Sequence, residues 1–247
     1  MKSINDFRFG FFYAFEGLRF LIKHGSLIKL ALIPWLINLI LFIAMVTGLY
    51  HYVGAIMSLV ATKPDVWYWL ILYYCFAVVI LVVIFIIATF FLCLIGNLIA
   101  SPFHERMAEK TKLLIYGQEE KKSFRWAIFW KESKRILTTQ LKKLLLLLFL
   151  EIAVLLLLLI PIIGAFLSGF LTLLLVGFQF LGLPLEVEKL SISQQIQKFF
   201  KFPFAWIGFG AGISVIFMIP IANISALPGG VVGASLLYYK KMSNPAS

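Results

Sequence analysis

The chain has 247 residues, of which 62% are hydrophobic and 13% are charged, and its mean hydropathy is +1.00. These values lie outside the range of water-soluble globular domains, so the sequence predicts an integral membrane protein. The net charge of +11 does not indicate a nucleic-acid partner, because the basic residues flank apolar segments and form no known nucleic-acid-binding motif. We therefore expect a phospholipid membrane as a partner and no nucleic acid.

The distribution of basic residues predicts the orientation in the membrane. Residues 51–66 contain only Lys63 and Asp65 as charged residues, whereas residues 104–143 contain eleven lysines and arginines. By the positive-inside rule, the 104–143 segment and both termini face the cytoplasm, and the 51–66 loop faces outward. The N-terminus has no uninterrupted apolar core with a cleavage site, so it is not predicted to be a removable signal peptide.

The first 24 residues have the pattern of an amphipathic helix. Apolar residues recur every three or four positions, and charges fall on the other side, which predicts a helix lying in the membrane interface. The apolar residues are Phe7, Phe11, Phe15, Leu18 and Ile22, and the charged ones are Arg8, Glu16, Arg19 and Lys23. Residues 30–50 carry no charge and have the length of one transmembrane helix.

A second span is predicted over residues 67–103. As a continuous helix it reaches about 55 Å against a hydrocarbon core of about 30 Å, so it must tilt strongly or project into the cytoplasm. Pro102 frees a backbone carbonyl one turn earlier, and Asn97 and Ser101 offer polar groups on one face beside it. These three residues predict either a polar, pore-lining joint or a plain helix kink with an interfacial asparagine.

Two further apolar blocks predict helical hairpins, over residues 144–183 and 202–239. The first is interrupted at 160–166 by proline and glycine, and its only charge is Glu151, which is expected to be functional or paired unless it reaches water. In the second, the arm from Pro228 to Tyr239 is too short to cross alone, so partial insertion is expected. A stripe of small residues, Ala222, Ala226, Gly230 and Ala234, predicts close helix packing or an oligomer contact.

The basic segment before the first hairpin has one strongly charged helical face. It is formed by Lys131, Lys134, Arg135 and Lys142, and another face carries Phe124, Ile128, Leu137 and Leu141. This pattern is typical of a helix resting on anionic lipid headgroups, and it also fits a basic vestibule that gathers anions.

No pattern in the sequence indicates an enzyme. His24, His51 and His104 lie far apart without cysteine or carboxylate at metal-ligand spacing, so no metal site is expected. The Gly208–Gly212 run follows no predicted strand and reads as small-residue packing instead of a nucleotide loop. We expect no cofactor and no catalytic residues.

Four motifs, in this order along the chain, carry a resemblance to a known family. They are "IPWLINLILF" (33–42), "NLIASPFHERMAE" (97–109), "IPIIG" (160–164) and "IPIANISALPGGVVGAS" (219–235). The chain resembles the CysZ-type sulfate permeases, which share a domain with the etoposide-induced membrane proteins. The resemblance implies an all-α protein of the bacterial inner membrane, with two long transmembrane helices and two partly inserted hairpins. It also implies a homo-oligomer that takes up sulfate for cysteine synthesis.

Two positions depart from the family pattern. Where the family shows Pro-Gly-Leu-Arg-Arg, this chain has "KHGSLIKLALIP" (23–34), which keeps Gly25 and Lys29 but loses at least one arginine. Gly182 stands where the family's aspartate is expected. The predicted function is therefore a sulfate or related anion permease or channel. The alternatives are a relative that transports another small solute and a non-transporting, membrane-organising protein.

The predicted anion site lies at the connection between residues 23 and 29. Sulfate is a dianion, and a helix start with nearby cations supplies N–H donors and positive charge. We expect Gly25 to permit a tight turn, Ser26 to serve as the N-cap, and Lys29 to supply charge. Arg19 is expected to reach back and replace the missing arginine. The same charges would also bind lipid phosphate.

Overall fold

The computed structural model describes residues 2–60, 66–118 and 126–243, and this part of the chain is helical without strands. Side chains of residues 126–135 lie outside the described part, and with them Ile128, Lys131, Lys134 and Arg135 of the predicted basic face; Phe124 lies outside it entirely. That face stays a prediction. The helices are α1 (Lys2–Lys23), α2 (Gly25–Val60), α3 (Trp67–Tyr116), α4 (Trp126–Leu157), α5 (Ile163–Val187), α6 (Ile192–Lys201), α7 (Pro203–Met218) and α8 (Pro220–Leu237), followed by a π-helical turn (Tyr238–Met242).

The chain divides into two compact units, one of residues 1–32 with 101–247 and one of residues 33–100. Their boundaries fall beside Pro34 in α2 and Pro102 in α3. In the 33–100 unit most large apolar side chains are exposed, as expected where lipid covers a helix. There the side chain of Asn38 lies directly against the backbone of Gly96, which has no Cβ to block it.

In the larger unit, α1 packs against α7 and α8 through glycine. A Cβ on Gly10 would collide with the carbonyl of Ala205, and a Cβ on Gly17 would collide with the backbone of Gly233. The buried face of α1 consists of Gly10, Tyr13, Ala14, Gly17 and Leu21. At 100° per residue this face lies about a quarter turn from the predicted phenylalanine face. Sequence analysis missed it because glycines add little to a hydrophobic pattern, although they allow the closest backbone approach.

Helix α3 continues for 50 residues, well beyond the predicted end of the span at residue 103. Its length of about 75 Å far exceeds the hydrocarbon thickness. Pro102 lies inside the helix and does not end it. Beyond it, Met107, Ala108 and Thr111 are fully buried, and Lys112 forms an ion pair with Glu188 at 2.8 Å.

Helices α4 and α5 form the first predicted hairpin, with the break at residues 158–162. Ile162 adopts a left-handed backbone conformation with φ of 64°, which is costly for a β-branched residue and marks the sharp bend. Lys143 of α4 contacts Glu186 of α5, so the two arms return to the same end. The break overlaps the predicted interruption at 160–166, and the depth of the hairpin in the membrane stays a prediction.

The second hairpin differs from its prediction. Its bend lies at Ile219, between α7 and α8, and Pro228 lies inside α8, so the second arm has 18 residues and starts at Pro220. A proline in the first turn starts a helix readily, since the N–H that it lacks has no partner there. The small-residue stripe packs within the chain: Ala226 and Ala234 are fully buried, and Gly230 lies against Phe180 of α5.

Candidate anion-binding site

A groove of about 470 Å³ runs along the face of α1 that points away from α7 and α8, and its lining combines cations with aromatic rings. Arg19 and Lys23 supply the positive charge, and both side chains are exposed. In the described part of the chain, the guanidinium of Arg19 has no hydrogen-bond partner, so its donors are available to an anion. The lining residues are Phe12, Phe15, Glu16, Arg19, Phe20 and Lys23.

One acidic residue, Glu16, also lines this groove and opposes the binding of an anion. Its carboxylate is paired with the ammonium of Lys240 at 3.4 Å, so Lys240 partly neutralises it. Burial raises the pKa of the neighbouring Tyr13, and the carboxylate of Glu16 adds to the rise, so Tyr13 contributes no further negative charge at neutral pH. Sequence analysis did not identify Lys240, because it lies more than 200 residues from Glu16 in the chain.

The start of α2 lies directly after this groove, separated from α1 by the single residue His24. The backbone N–H groups of Leu27 and Ile28 both donate to the carbonyl of His24, at 2.9 and 3.4 Å. The N–H groups of Gly25 and Ser26 have no acceptor in the described part of the chain. Two backbone donors at a helix N-terminus are therefore available to an anion.

Two details of the predicted turn are wrong. Helix α2 begins at Gly25, so His24 precedes the helix and Ser26 is its second residue instead of its N-cap. Gly25 is helical and provides no turn; it is exposed, and no other atom lies within 4 Å of a Cβ built on it. The His24 ring stacks on Phe20 with centroids 4.1 Å apart, and this contact holds the connection in place of a capping side chain.

Lys29, one turn further along α2, is exposed and does not line the groove. In the part of the chain that the structure describes, its ammonium has no ion-pair partner. The structure thus brings Arg19 and Lys23 together in the groove. Gly25 and Ser26 lie at the start of the next helix, and Lys29 lies outside the groove.

The predicted joint in α3 does not present a single polar face. Asn97 is exposed, whereas Ser101 is 4% exposed and Pro102 is buried. The buried stretch of α3 begins close to Ser101. Helix α3 therefore changes from exposed to packed between Asn97 and Ser101. A role in lining a pore stays a prediction for all three residues.

Glu151 is half-buried in α4, and it has no hydrogen bond or ion pair within the described residues, so its functional role stays a prediction. The buried charges of this hairpin are instead Lys143 and Glu186, whose nitrogen and oxygen lie 3.1 Å apart. Sequence analysis missed this pair. No local signal links them, because only the closing of the hairpin brings Lys143 and Glu186 together.

Among the described residues, three helices are long and apolar enough to cross a membrane: α2 over Gly25–Ala55, α3, and α5. Helices α6 and α7, bent by 95° at their junction, qualify together as a broken span or re-entrant segment. The fold therefore defines an all-α integral membrane protein.

The comparison with known families agrees with this class. Residues 13–228 match the family described as "Sulfate transporter CysZ/Etoposide-induced protein 2.4", and the chain belongs to this family.

Several curated relatives are similar over nearly their whole length. A protein named Sulfate transporter CysZ from Pseudomonas fluorescens (strain Pf0-1) is 25% identical over 238 residues, covering 93% of this chain and 92% of the relative. Proteins of the same name from Vibrio atlanticus and Vibrio parahaemolyticus are each 27% identical, over 97% and 96% of this chain and 95% and 97% of their own. The relatives come from bacteria, and the chain is similar to a bacterial membrane protein.

Proposed function

We propose that this protein transports sulfate across the bacterial inner membrane and supplies it for cysteine synthesis. The observation that carries the proposal is the similarity to proteins named sulfate transporters over 93% or more of the chain. In this proposal the protein is a permease or channel for a small anion and catalyses no reaction. Both termini and the basic 104–143 segment face the cytoplasm, and several copies of the chain assemble into the working oligomer.

The start of α2 and the groove on α1 form the sulfate-binding site in this proposal. Arg19 offers a planar set of donors suited to two sulfate oxygens, and Lys23 adds charge to the same groove. The free N–H groups of Gly25 and Ser26 at the adjacent helix start supply neutral donors. Lys29 attracts the anion from the flank. Together these groups replace part of the hydration shell that sulfate loses on binding.

The chemistry of this site also suits the phosphate of a lipid headgroup. The three phenylalanines in the groove, Phe12, Phe15 and Phe20, would contact acyl chains if the site holds lipid. One measurement separates sulfate binding from lipid binding. If the site holds sulfate, delipidated protein binds free sulfate; if the site holds only lipid phosphate, delipidated protein does not.

Calorimetry on detergent-solubilised, delipidated protein tests the sulfate site. We expect saturable heat with sulfate, and we expect Arg19→Ala to weaken binding by roughly 1 to 3 kcal/mol, the range for charged hydrogen bonds. Lys29→Ala should weaken binding less, because Lys29 attracts the anion without contacting it. Lys198→Ala, which removes an exposed lysine of α6, is the matched control and should leave binding unchanged. If millimolar sulfate gives no heat, or if both site variants bind like wild type, the site is wrong.

A further inference from the structure

The most deeply buried charges in the described part of the chain belong to Lys143 of α4 and Glu186 of α5. Their side chains are 2% and 4% exposed, and the ammonium nitrogen lies 3.1 Å from Oε1 of the carboxylate. Neither residue belongs to the proposed sulfate site on α1 and α2. A buried charge that loses its partner is strongly destabilising, so each residue depends on the other.

Two donors converge on the Glu186 carboxylate from the same helix. Lys143 donates to Oε1, and the side-chain amide of Gln140, one turn earlier on α4, donates to Oε2. Lys143 is further held by the carbonyl of Gln179 at 3.3 Å and by the ring of Phe178, whose centroid is 5.8 Å away. An ammonium held by a carbonyl and an aromatic ring, beside an amide N–H that donates to the same carboxylate, is a donor set that holds an oxyanion.

The space beside the ammonium depends on Gly182. A Cβ at this position would occupy the place of Lys143 Nζ and would lie 3.1 Å from Oε1 of Gln195. That oxygen is fully buried, and it has no hydrogen-bond partner within the described residues. Gly182 therefore leaves the place that the Lys143 ammonium occupies, and an unsatisfied buried acceptor lies at its edge.

The energetics also favour a role beyond stability. Apolar residues of similar volume often stabilise a protein as well as a buried ion pair does.

We propose that Lys143 and Gln140 form a second oxyanion-binding site, whose occupant in this structure is the carboxylate of Glu186. Glu186 is a tethered surrogate for a free anion of the carboxylate or sulfate class. The free anion takes the site when Glu186 turns away. The proposal does not depend on the sulfate site near Arg19 or on whether the protein transports sulfate.

The test removes the tethered occupant and supplies a free one. Glu186→Ala deletes the atoms that acetate contains, so acetate can refill the site between Lys143 and Gln140. We expect acetate or sulfate to raise the unfolding temperature of purified Glu186→Ala protein saturably, by about 5 °C or more at saturation, relative to chloride at equal ionic strength. Wild type should need a much higher anion concentration for the same rise, because Glu186 competes.

The matched control is the double variant Lys143→Met with Glu186→Ala, which removes the cation as well. It should show no anion-specific rise. Equal rises in the single and double variants, or no rise in the single variant with either anion, would overturn the proposal. If Glu186→Ala does not fold in chloride, extraction in acetate should restore monodisperse protein, and failure to do so also contradicts the site. Repeating the titration with Arg19→Ala added separates this site from the first, since the rise should persist.

Discussion

At the level of single residues, Gly182 shows how one missing side chain determines what the hairpin can bury. The ammonium of Lys143 occupies the position that a Cβ on residue 182 would take, and it reaches Glu186 through this gap. The end of a lysine side chain can move, but here any movement separates it from its only carboxylate partner in the described structure. Gly182 is therefore required for the ion pair as well as for close packing of the helices.

This account predicts that Gly182→Ala destabilises the protein by roughly 1 to 3 kcal/mol, the range for overpacked interiors. The control is Gly169→Ala in the same helix, where no other atom lies within 4 Å of the added Cβ. Because alanine favours helix over glycine, that variant should be unchanged or slightly more stable. Thermal unfolding of both variants in detergent is the measurement, and equal stability of the two proteins would contradict the packing described for Lys143.

Sequence reasoning at this scale can propose residues that lie close together in the chain, and it misses those that only folding brings together. Arg19, Gly25 and Ser26 could be proposed because a helix start and its cations are close together in the chain, and their role in anion binding stays a prediction. Lys240 could not, since only folding brings it to Glu16. Ser26 was misassigned as a cap because Ser is a favoured N-cap residue, whereas α2 begins at Gly25, two residues earlier than a serine cap at position 26 would require.

At the level of helices, close packing of glycine backbones holds α1 against α7 and α8. Gly17 faces the backbone of Gly233, and Gly212 of α7 faces the carbonyl of Phe11. The phenylalanine pattern alone predicts that α1 contacts mainly lipid, whereas these contacts bury one face of α1 against α7 and α8. They also fix the groove of Arg19 on the outer face of α1, away from the helix crossing.

We predict that Gly17→Val separates α1 from α8 and lowers the free energy of unfolding by about 3 kcal/mol, because backbone atoms of Gly229 and Gly233 cannot yield as a side chain can. Gly48→Ala in α2 is the control, because nothing lies within 4 Å of its added Cβ. Thermal unfolding and limited proteolysis near the N-terminus should both report the change. A Gly17→Val protein as stable as the control variant would show that α1 does not pack as described.

The apolar helices and a bend near residue 160 could be predicted because hydropathy, proline and glycine are local signals. Helix α6 was missed, although Ser191 and Gln194 form a capping box at its start. The bend of the second hairpin was placed too late, because both Pro220 and Pro228 have the local features of a helix break. Packing decides between them: Ala226 and Gly230 on either side of Pro228 are buried against neighbouring helices, which keeps α8 continuous there.

At the level of the whole molecule, the distribution of charge predicts orientation. In a background with Cys75 and Cys93 replaced by serine, Val66→Cys should react with a membrane-impermeant thiol reagent in intact cells, and Gln118→Cys should react only after lysis. Val66 and Gln118 are exposed and adjoin the loops that contain Lys63 and Lys121, which lie outside the described residues. The opposite labelling pattern would reverse the orientation inferred from the basic 104–143 segment.

Uptake of labelled sulfate into proteoliposomes that contain only this protein tests the central claim most directly. The account predicts saturable uptake above that of empty vesicles, and it predicts that Arg19→Ala reduces uptake at low sulfate concentration while Lys198→Ala does not. Sulfate uptake no faster than in empty vesicles, by folded and correctly inserted protein, would contradict sulfate transport. That result would favour the two alternatives, that the protein transports another small solute or that it organises the membrane without transport.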